Sequence, residues 1–243
     1  MDTIALSVKD FIAEQQAITK KHVAASRLKE NASIPVITVC LEPGSGGRLI
    51  AEEIAKRLNF TLFDKNILVS MANTAAVESR SLDNIEQNRP SGVQDFITSL
   101  MDKHYVYTGD YVSFLKQQVE IIGKLGRGVI VGRGANFILP PKDRFSIRVI
   151  APLDIRVRNV SFRNGVPLAE AKKRIRNREQ RRKTFIRETF HEDIADIMHY
   201  DLIINTARMD LETAVESVIG TIIGSQAHRT FEKETSFILK NKR

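Results

Sequence analysis

The feature that most constrains this chain is a change of period near residue 35. Pro35-Val36-Ile37-Thr38-Val39-Cys40-Leu41 is a short apolar run rich in β-branched residues, the composition of a strand buried on both faces. Glu42-Pro43-Gly44-Ser45-Gly46-Gly47 cannot continue that run and reads as a turn. From Arg48 to Leu58 the spacing is helical: Ile50, Ile54 and Leu58 share a face, and Glu52/Lys56 and Glu53/Arg57 stand four apart. Strand, glycine turn and helix in that order open a phosphate-binding βα unit. The glycines let the backbone turn tightly and bring its N–H groups to an anion, and the helix that follows offers its positive end.

Four further strands are expected, at Thr61–Phe63, Gly128–Gly132, Phe145–Ile150 and Asp201–Asn205. Helical patterns separate them. Tyr111, Phe114, Leu115, Gln118, Val119 and Ile122 fall on one helical face, as do Leu211, Ala214, Val215, Val218 and Ile222. Strands alternating with helices predict an α/β fold with a parallel sheet covered on both sides. Residues 1–33 read as an amphipathic N-terminal helical extension that packs on the core or on a partner, including a second copy of the chain. The main domain spans 34–224, with a helical insertion at 66–125 that lacks strand signals, and 225–243 reads as a polar, frayed tail.

Charge and cysteine content narrow the class. A net charge of +8 and a pI near 9.6 point to an anionic partner, whether nucleic acid, a membrane surface or a phosphate metabolite. The single cysteine, Cys40, forms no intramolecular disulfide and no metal cluster. No apolar run approaches the roughly 20 residues needed to span a bilayer, and no signal-peptide order is present at the N-terminus. The expected location is cytoplasmic, with no membrane role.

The glycine turn departs from the full Walker pattern. Glu42 stands at the first glycine, Gly47 fits the second, Arg48 replaces the lysine and Leu49 replaces the hydroxyl residue. Arginine can clamp phosphate oxygens with two donors, whereas leucine cannot ligate Mg²⁺. Four segments then resemble one family when taken in order. They are Pro43-Gly44-Ser45-Gly46-Gly47-Arg48, Phe63-Asp64-Lys65, Val129-Ile130-Val131-Gly132-Arg133 and Tyr200-Asp201-Leu202-Ile203-Ile204-Asn205-Thr206. Together they are similar to the cytidylate kinase-like family, a divergent branch of the nucleoside monophosphate kinases. The resemblance covers about residues 34–224. It implies a P-loop nucleoside triphosphate hydrolase-type three-layer sandwich, with a five-stranded parallel sheet, a monophosphate-binding helical insertion and an arginine-bearing lid at 163–190. It also implies ATP and Mg²⁺ on the donor side, and a nucleoside monophosphate acceptor, CMP or dCMP.

The expected site follows from both readings. Pro43, Gly44, Ser45, Gly46, Gly47, Arg48 and Leu49 form the phosphate turn, with Arg48 balancing the donor's charge. Asp64, after the second strand, sits where ligands of open α/β sheets bind; it orients the acceptor or a metal-bound water, or caps the segment starting at Lys65. Arg133 matches the arginine of the kinases' Asp-Gly-Arg-Asp motif, with Val131 and Gly134 in place of the aspartates; the resemblance implies that it holds the acceptor's phosphate. No side chain is expected to ligate a metal directly.

A basic stretch runs from Arg156 to Arg187, relieved by Glu170 and Glu179, and most of it falls on a helix opened by Pro167. Arg178, Arg181 and Arg182 are its best matches to catalytic lid arginines, which stabilise charge on the phosphoryl group in transit. The same stretch also raises nucleic-acid binding. Phe162 and Phe185 are its sole aromatics, so stacking on single strands is poorly supported and nucleic acid is not the expected partner. Two further readings stay open: a kinase with another acceptor, and a nucleotide sensor without turnover.

Overall fold

The computed structural model describes residues 36–64 and 109–240; the expected extension at 1–33 and residues 66–108 of the expected insertion lie outside them. Five strands form one parallel sheet: β1 (Val36–Leu41), β2 (Thr61–Phe63), β3 (Gly128–Val131), β4 (Arg144–Ile150) and β5 (Leu202–Asn205). Their order is β2-β3-β1-β4-β5, which puts the strand before the glycine turn at the centre. There β1 pairs with both neighbours, Val39 opposite Val131 on one side and Ile147 on the other.

Period-two alternation sends successive β1 residues to two different cores. Ile37 and Val39 join Val129, Ile147, Val149 and Ile204 beneath α1 (Gly47–Leu58) and α6 (Leu211–Lys240). The expected helical faces supply the cover, since Ile50, Ile54, Ala214, Val215, Val218 and Ile222 are all buried, although Leu211 is not. On the opposite face Val36 and Ile130 pack against α2 (Gly109–Leu125), α3 (Ala135–Ile138) and the end of α5 (Leu168–Phe190). Each fully buried aliphatic side chain contributes about 1.5–3 kcal/mol, so both covers are needed to hold the sheet.

Two expectations are revised. The described end of the insertion, α2, is a core helix: Tyr111, Leu115, Val119 and Ile122 are fully buried, and Tyr111 meets Phe185 edge-on with ring centroids 6.0 Å apart. The polar stretch from 225 continues α6 as helix to Lys240. A smaller cluster of Val157, Val160, Ala171 and Ile175 joins α4 (Leu153–Asn164) to α5, the helix that carries most of the basic stretch. No helix among the described residues is long and apolar enough to cross a membrane.

Candidate active site

The turn after β1 needs its glycines for two different reasons. A Cβ at Gly44 would lie 2.6 Å from the backbone oxygen of Arg156, and one at Gly47 would lie 2.7 Å from Leu41 Cβ and 2.9 Å from Val149 Cβ. Close approach sets Gly47, and it sets Gly44 together with a φ of +88°. Gly46 instead has open space around it and a φ of +79°, a left-handed conformation that side chains resist. It caps α1 without any side-chain hydrogen bond; the Leu49 and Ile50 N–H groups donate to its carbonyl, which leaves those of Gly47 and Arg48 to an incoming anion.

Two side chains hold the carbonyls of the turn. Asn159 Nδ2 donates to Gly44 O at 2.9 Å and Thr206 Oγ1 donates to Ser45 O at 2.8 Å. In a planar trans peptide a carbonyl anchored on one side turns the next N–H to the other, so Thr206 orients the Gly46 N–H. Ser45 itself is 1% exposed, and its Oγ has no partner. A glycine cradle with a waiting hydroxyl fits a chain of phosphates.

Arg48 does not cover this cradle. Its Nη2 donates to Asp64 Oδ2 at 2.6 Å and its Nε to Glu52 Oε1 at 2.7 Å. The Glu52 hydrogen bond first, and then the Asp64 charge, hold the guanidinium above its ordinary pKa against desolvation. The expected donor clamp is engaged by two carboxylates, and Asp64, expected at the acceptor, is buried beneath that ion pair. Leu49, expected along the turn, is 51% exposed.

Glu42, at the end of β1, organises what the glycines leave free. Its Oε2 accepts from the Ala151 N–H at 3.2 Å and lies 3.3 Å from Arg156 Nε, while Oε1 is 3.8 Å from Arg148. Arg156 in turn donates to Ala151 O at 2.8 Å and pairs with Glu179 of α5. One buried arginine therefore links the turn, the end of β4 and α5. Beside it Arg148 donates to Ile194 O and to Tyr200 OH, 5.3 Å from that ring's centroid. The phenol lies 3.3 Å from Cys40 Sγ, and burial, followed by Cys40, pushes its pKa up.

Above these groups lies a cavity of about 510 Å³, bounded by β1, β4 and α5. That size suits a nucleotide. Glu42, Arg148, Arg176, Asn177 and Arg182 are among its walls. Arg182 is exposed as a residue, yet its Nη1 donates to Leu41 O at 2.6 Å and its guanidinium is crowded by protein. Desolvation lowers its pKa, and the charges of Arg133 and Arg178 lower it further against an opposing contribution from Cys40. Of the three expected lid arginines, Arg182 reaches the site and Arg178 acts on it through charge. Arg181 bonds back to Asn177 O of its own helix and does not line the cavity.

Arg133 lines a second, adjoining cavity of about 80 Å³ with Gly132, Gly134, Asn136 and Arg182. Gly132, Arg133 and Gly134 have φ of +76°, +60° and +67°, three left-handed residues in succession. A non-glycine residue in that conformation is strained and persists where its surroundings impose it, often at functional sites. Here a Cβ at Gly134 would lie 2.7 Å from the Phe190 ring, and Arg133 Nη1 meets Tyr111 OH at 3.4 Å.

A resident metal does not fit this residue set. Among the described residues no three His, Cys, Asp or Glu side chains converge to hold an ion, and Glu42 and Asp64 are engaged by arginines. Sequence reasoning missed Glu42, Arg148, Asn136, Asn159 and Thr206 as site residues. Glu42 had one signal, an acid where the Walker pattern has glycine. Thr206 closes the fourth family segment, which marks its place and not its contact with Ser45, and no local pattern marks Arg148, Asn136 or Asn159.

A central strand, a glycine turn onto a helix and an arginine of α5 that bonds the end of that strand define a P-loop α/β protein of the kinase type. The chain belongs to the cytidylate kinase-like family, which it matches over residues 36–208. It is 25% identical to the cytidylate kinase of Pyrobaculum islandicum over 199 residues, 81% of this chain and 98% of that protein. Among solved structures, it resembles an uncharacterized protein from Eubacterium ventriosum at a TM-score of 0.57 and 24% identity, over 77% of this chain and 98% of that one. A gluconokinase from Sinorhizobium meliloti gives a TM-score of 0.50 at 14% identity, over 83% and 99% respectively, a likeness of fold. Family and fold make this chain a phosphotransferase.

Proposed function

We propose that this chain transfers the γ-phosphoryl group of ATP to a nucleoside monophosphate, with CMP or dCMP preferred, in the cytoplasm. The observation that carries this reading is convergence: Glu42 and Pro43, which open the glycine turn, line the larger cavity, Arg133 lines the adjoining one, and Arg182 lines both. The turn cradles the donor's phosphates through backbone N–H groups, and Arg133 anchors the acceptor's phosphate. An oxygen of that phosphate attacks Pγ; the new P–O bond forms as the bond to the β-phosphate breaks, and ADP leaves with the electron pair. Arg182, with Arg178 behind it, stabilises the charge spread over the transferring group. Such catalysis is mainly positioning and electrostatics, and does not depend on a general base. Mg²⁺ bound to the nucleotide would supply further charge neutralisation at the phosphates, with no side chain of the described residues needed to hold it.

The CMP preference rests on family membership and on the relatives named cytidylate kinase. A coupled ATP-consumption assay against a panel of ribo- and deoxyribonucleoside monophosphates tests it. CMP or dCMP is expected to give the highest kcat/KM; a different best acceptor corrects the specificity and leaves the chemistry standing. A second reading, nucleotide sensing without turnover, is favoured by Arg48 being paired with Asp64 and Glu52. ATP binding with no transfer to any monophosphate would put that reading first.

A further inference from the structure

Asn136 presents a problem that the site as described does not solve. It is 5% exposed, and its Nδ2 has no hydrogen-bond partner. A buried donor left unpaired is costly and uncommon in native structures, so it calls for a partner from outside the chain. The amide lines the cavity of about 80 Å³, whose other polar walls are Arg133 and Arg182. That space is much smaller than the neighbouring cavity of about 510 Å³ and is large enough for a phosphoryl-sized group. Arg133 and Arg182 line it together with the unpaired amide donor, and Glu42 and Glu179 stand outside it, engaged by Arg156. The mutual repulsion of Arg133 and Arg182 is what an anion placed between them would relieve.

We propose that Asn136 is a phosphate ligand, completing with Arg133 and Arg182 a pocket that takes the phosphate of the acceptor. The identity of that phosphate rests on the function proposed above; the pocket itself does not, since free inorganic phosphate offers the same chemistry. The arrangement has a diagnostic consequence. Asn136→Asp places a carboxylate of nearly the same shape between two guanidiniums, so the protein supplies its own anion. Stability without ligand should then rise while phosphate binding disappears, two opposite changes that a structural role for Asn136 would not produce.

Cys40, the single cysteine, lines both cavities and reports on occupancy without any need for turnover. The experiment follows the Tm and the rate of Cys40 modification by a thiol reagent, with inorganic phosphate or chloride at matched ionic strength. In the parent, phosphate should raise the Tm and slow modification more than chloride does. Asn136→Ala should weaken both responses by about tenfold or more in phosphate concentration, as expected for a hydrogen bond to a charged group. Asn136→Asp should abolish them and melt higher than the parent in chloride. For the acceptor, both variants should raise KM by about tenfold or more, with KM for ATP within about twofold of the parent's.

The proposal is overturned if phosphate has no effect beyond chloride on the parent, or if both variants respond to phosphate as the parent does. A lower Tm for both variants with phosphate affinity unchanged would reduce Asn136 to packing. Phosphate binding at this pocket with no transfer to any monophosphate would sink the proposed function and leave the pocket standing. Normal transfer by variants with parental KM and phosphate response would do the reverse.

Discussion

Arg57 and Arg182 are both exposed-helix arginines, and their surroundings are opposite. Arg57, on α1 at the back of the sheet, pairs with Glu53 at 2.9 Å, Glu216 at 2.6 Å and Glu212. The Glu212 hydrogen bond, then that of Glu53, hold its pKa well above the ordinary arginine value. Arg182 has a backbone carbonyl for a partner and other arginines for neighbours, and its pKa is lowered, by desolvation first. On the back face carboxylates outnumber the guanidinium they hold. On the site face both cavity-lining carboxylates, Glu42 and Glu179, are engaged by Arg156, so Glu179 reaches Arg182 through charge alone and the repulsion of Arg133 and Arg178 is only partly offset. The number of arginines along the chain therefore does not locate function; the local supply of counter-charge does. A site short of carboxylates is prepared for an anion that arrives from outside.

The largest effect expected is from breaking the device that keeps those carboxylates engaged. Gly44→Val pushes a side chain into the backbone oxygen of Arg156, 2.6 Å from the ideal Cβ, at a φ of +88°. Strain and overpacking each cost about 1–3 kcal/mol, and a displaced Arg156 would release Glu42 and Glu179 into the site. A clear drop in Tm is expected, together with a loss of ATP affinity of about 10²-fold by titration calorimetry. Gly46→Ala is the control: it meets no atom within 4 Å and carries the φ strain alone, so its loss should be smaller. Equal losses in the two variants would detach the Arg156 device from nucleotide binding.

Next in size is Arg182→Ala, which removes the cation that the proposed function places at the transferring group. Turnover should fall by roughly 10²-fold or more, with ATP affinity changed far less. Arg182→Lys should restore part of it, because an ammonium lacks the planar fork. If Arg181→Ala proves equally damaging, the helix register read at α5 is wrong.

That register shows what was legible in the sequence. Ile175, Glu179, Arg182 and Ile186 follow one another at helical spacing, and the buried Ile175 and Ile186 place Arg182 on the inward side. The same periodic reasoning located all five strands and the buried faces of α1, α2 and α6, because burial writes itself into hydrophobic spacing. Strand order was not legible beyond the family likeness, since pairing partners lie far apart in the chain. The same holds for Glu42–Arg156, Thr206–Ser45 and Arg48–Asp64, each a contact across many residues that leaves no local signature. The glycine turn was readable, but the separate reasons for Gly44 and Gly46 were not, because close approach needs coordinates and positive φ alone does not distinguish them.

Arg48 lies between the extremes: it stands at the edge of the site yet is already neutralised. Arg48→Ala should therefore reduce turnover by less than Arg182→Ala does. A double-mutant cycle with Asp64→Asn should show stability coupling within about 1 kcal/mol, because the pair is partly open to solvent. A rate loss from Arg48→Ala that matches or exceeds that of Arg182→Ala would mean the guanidinium leaves Asp64 for the donor during transfer. The comparison of paired and unpaired arginines would then hold for the resting protein alone.

The smallest effect belongs to the back face. Arg57→Ala removes three exposed ion pairs, and solvent screening leaves little of each. Arg57 holds the Glu53 and Glu212 carboxyls below the usual carboxylate range, chiefly through its hydrogen bonds to them. A carboxyl whose pKa is depressed in the folded protein stabilises it above the unfolded pKa, near 4.3 for glutamate, and loses that contribution as the pH falls through the folded value. The parent should melt slightly above Arg57→Ala at pH 7, and the gap should close as the pH drops below about 4. Salt at about 1 M should also close it, since the Debye length there is about 3 Å. Parent and variant melting curves, taken across pH at low and high salt, measure both. A gap that survives acid and salt together would come from packing of the arginine stem, and the back face would then owe its order to contact, with its carboxylates as passengers.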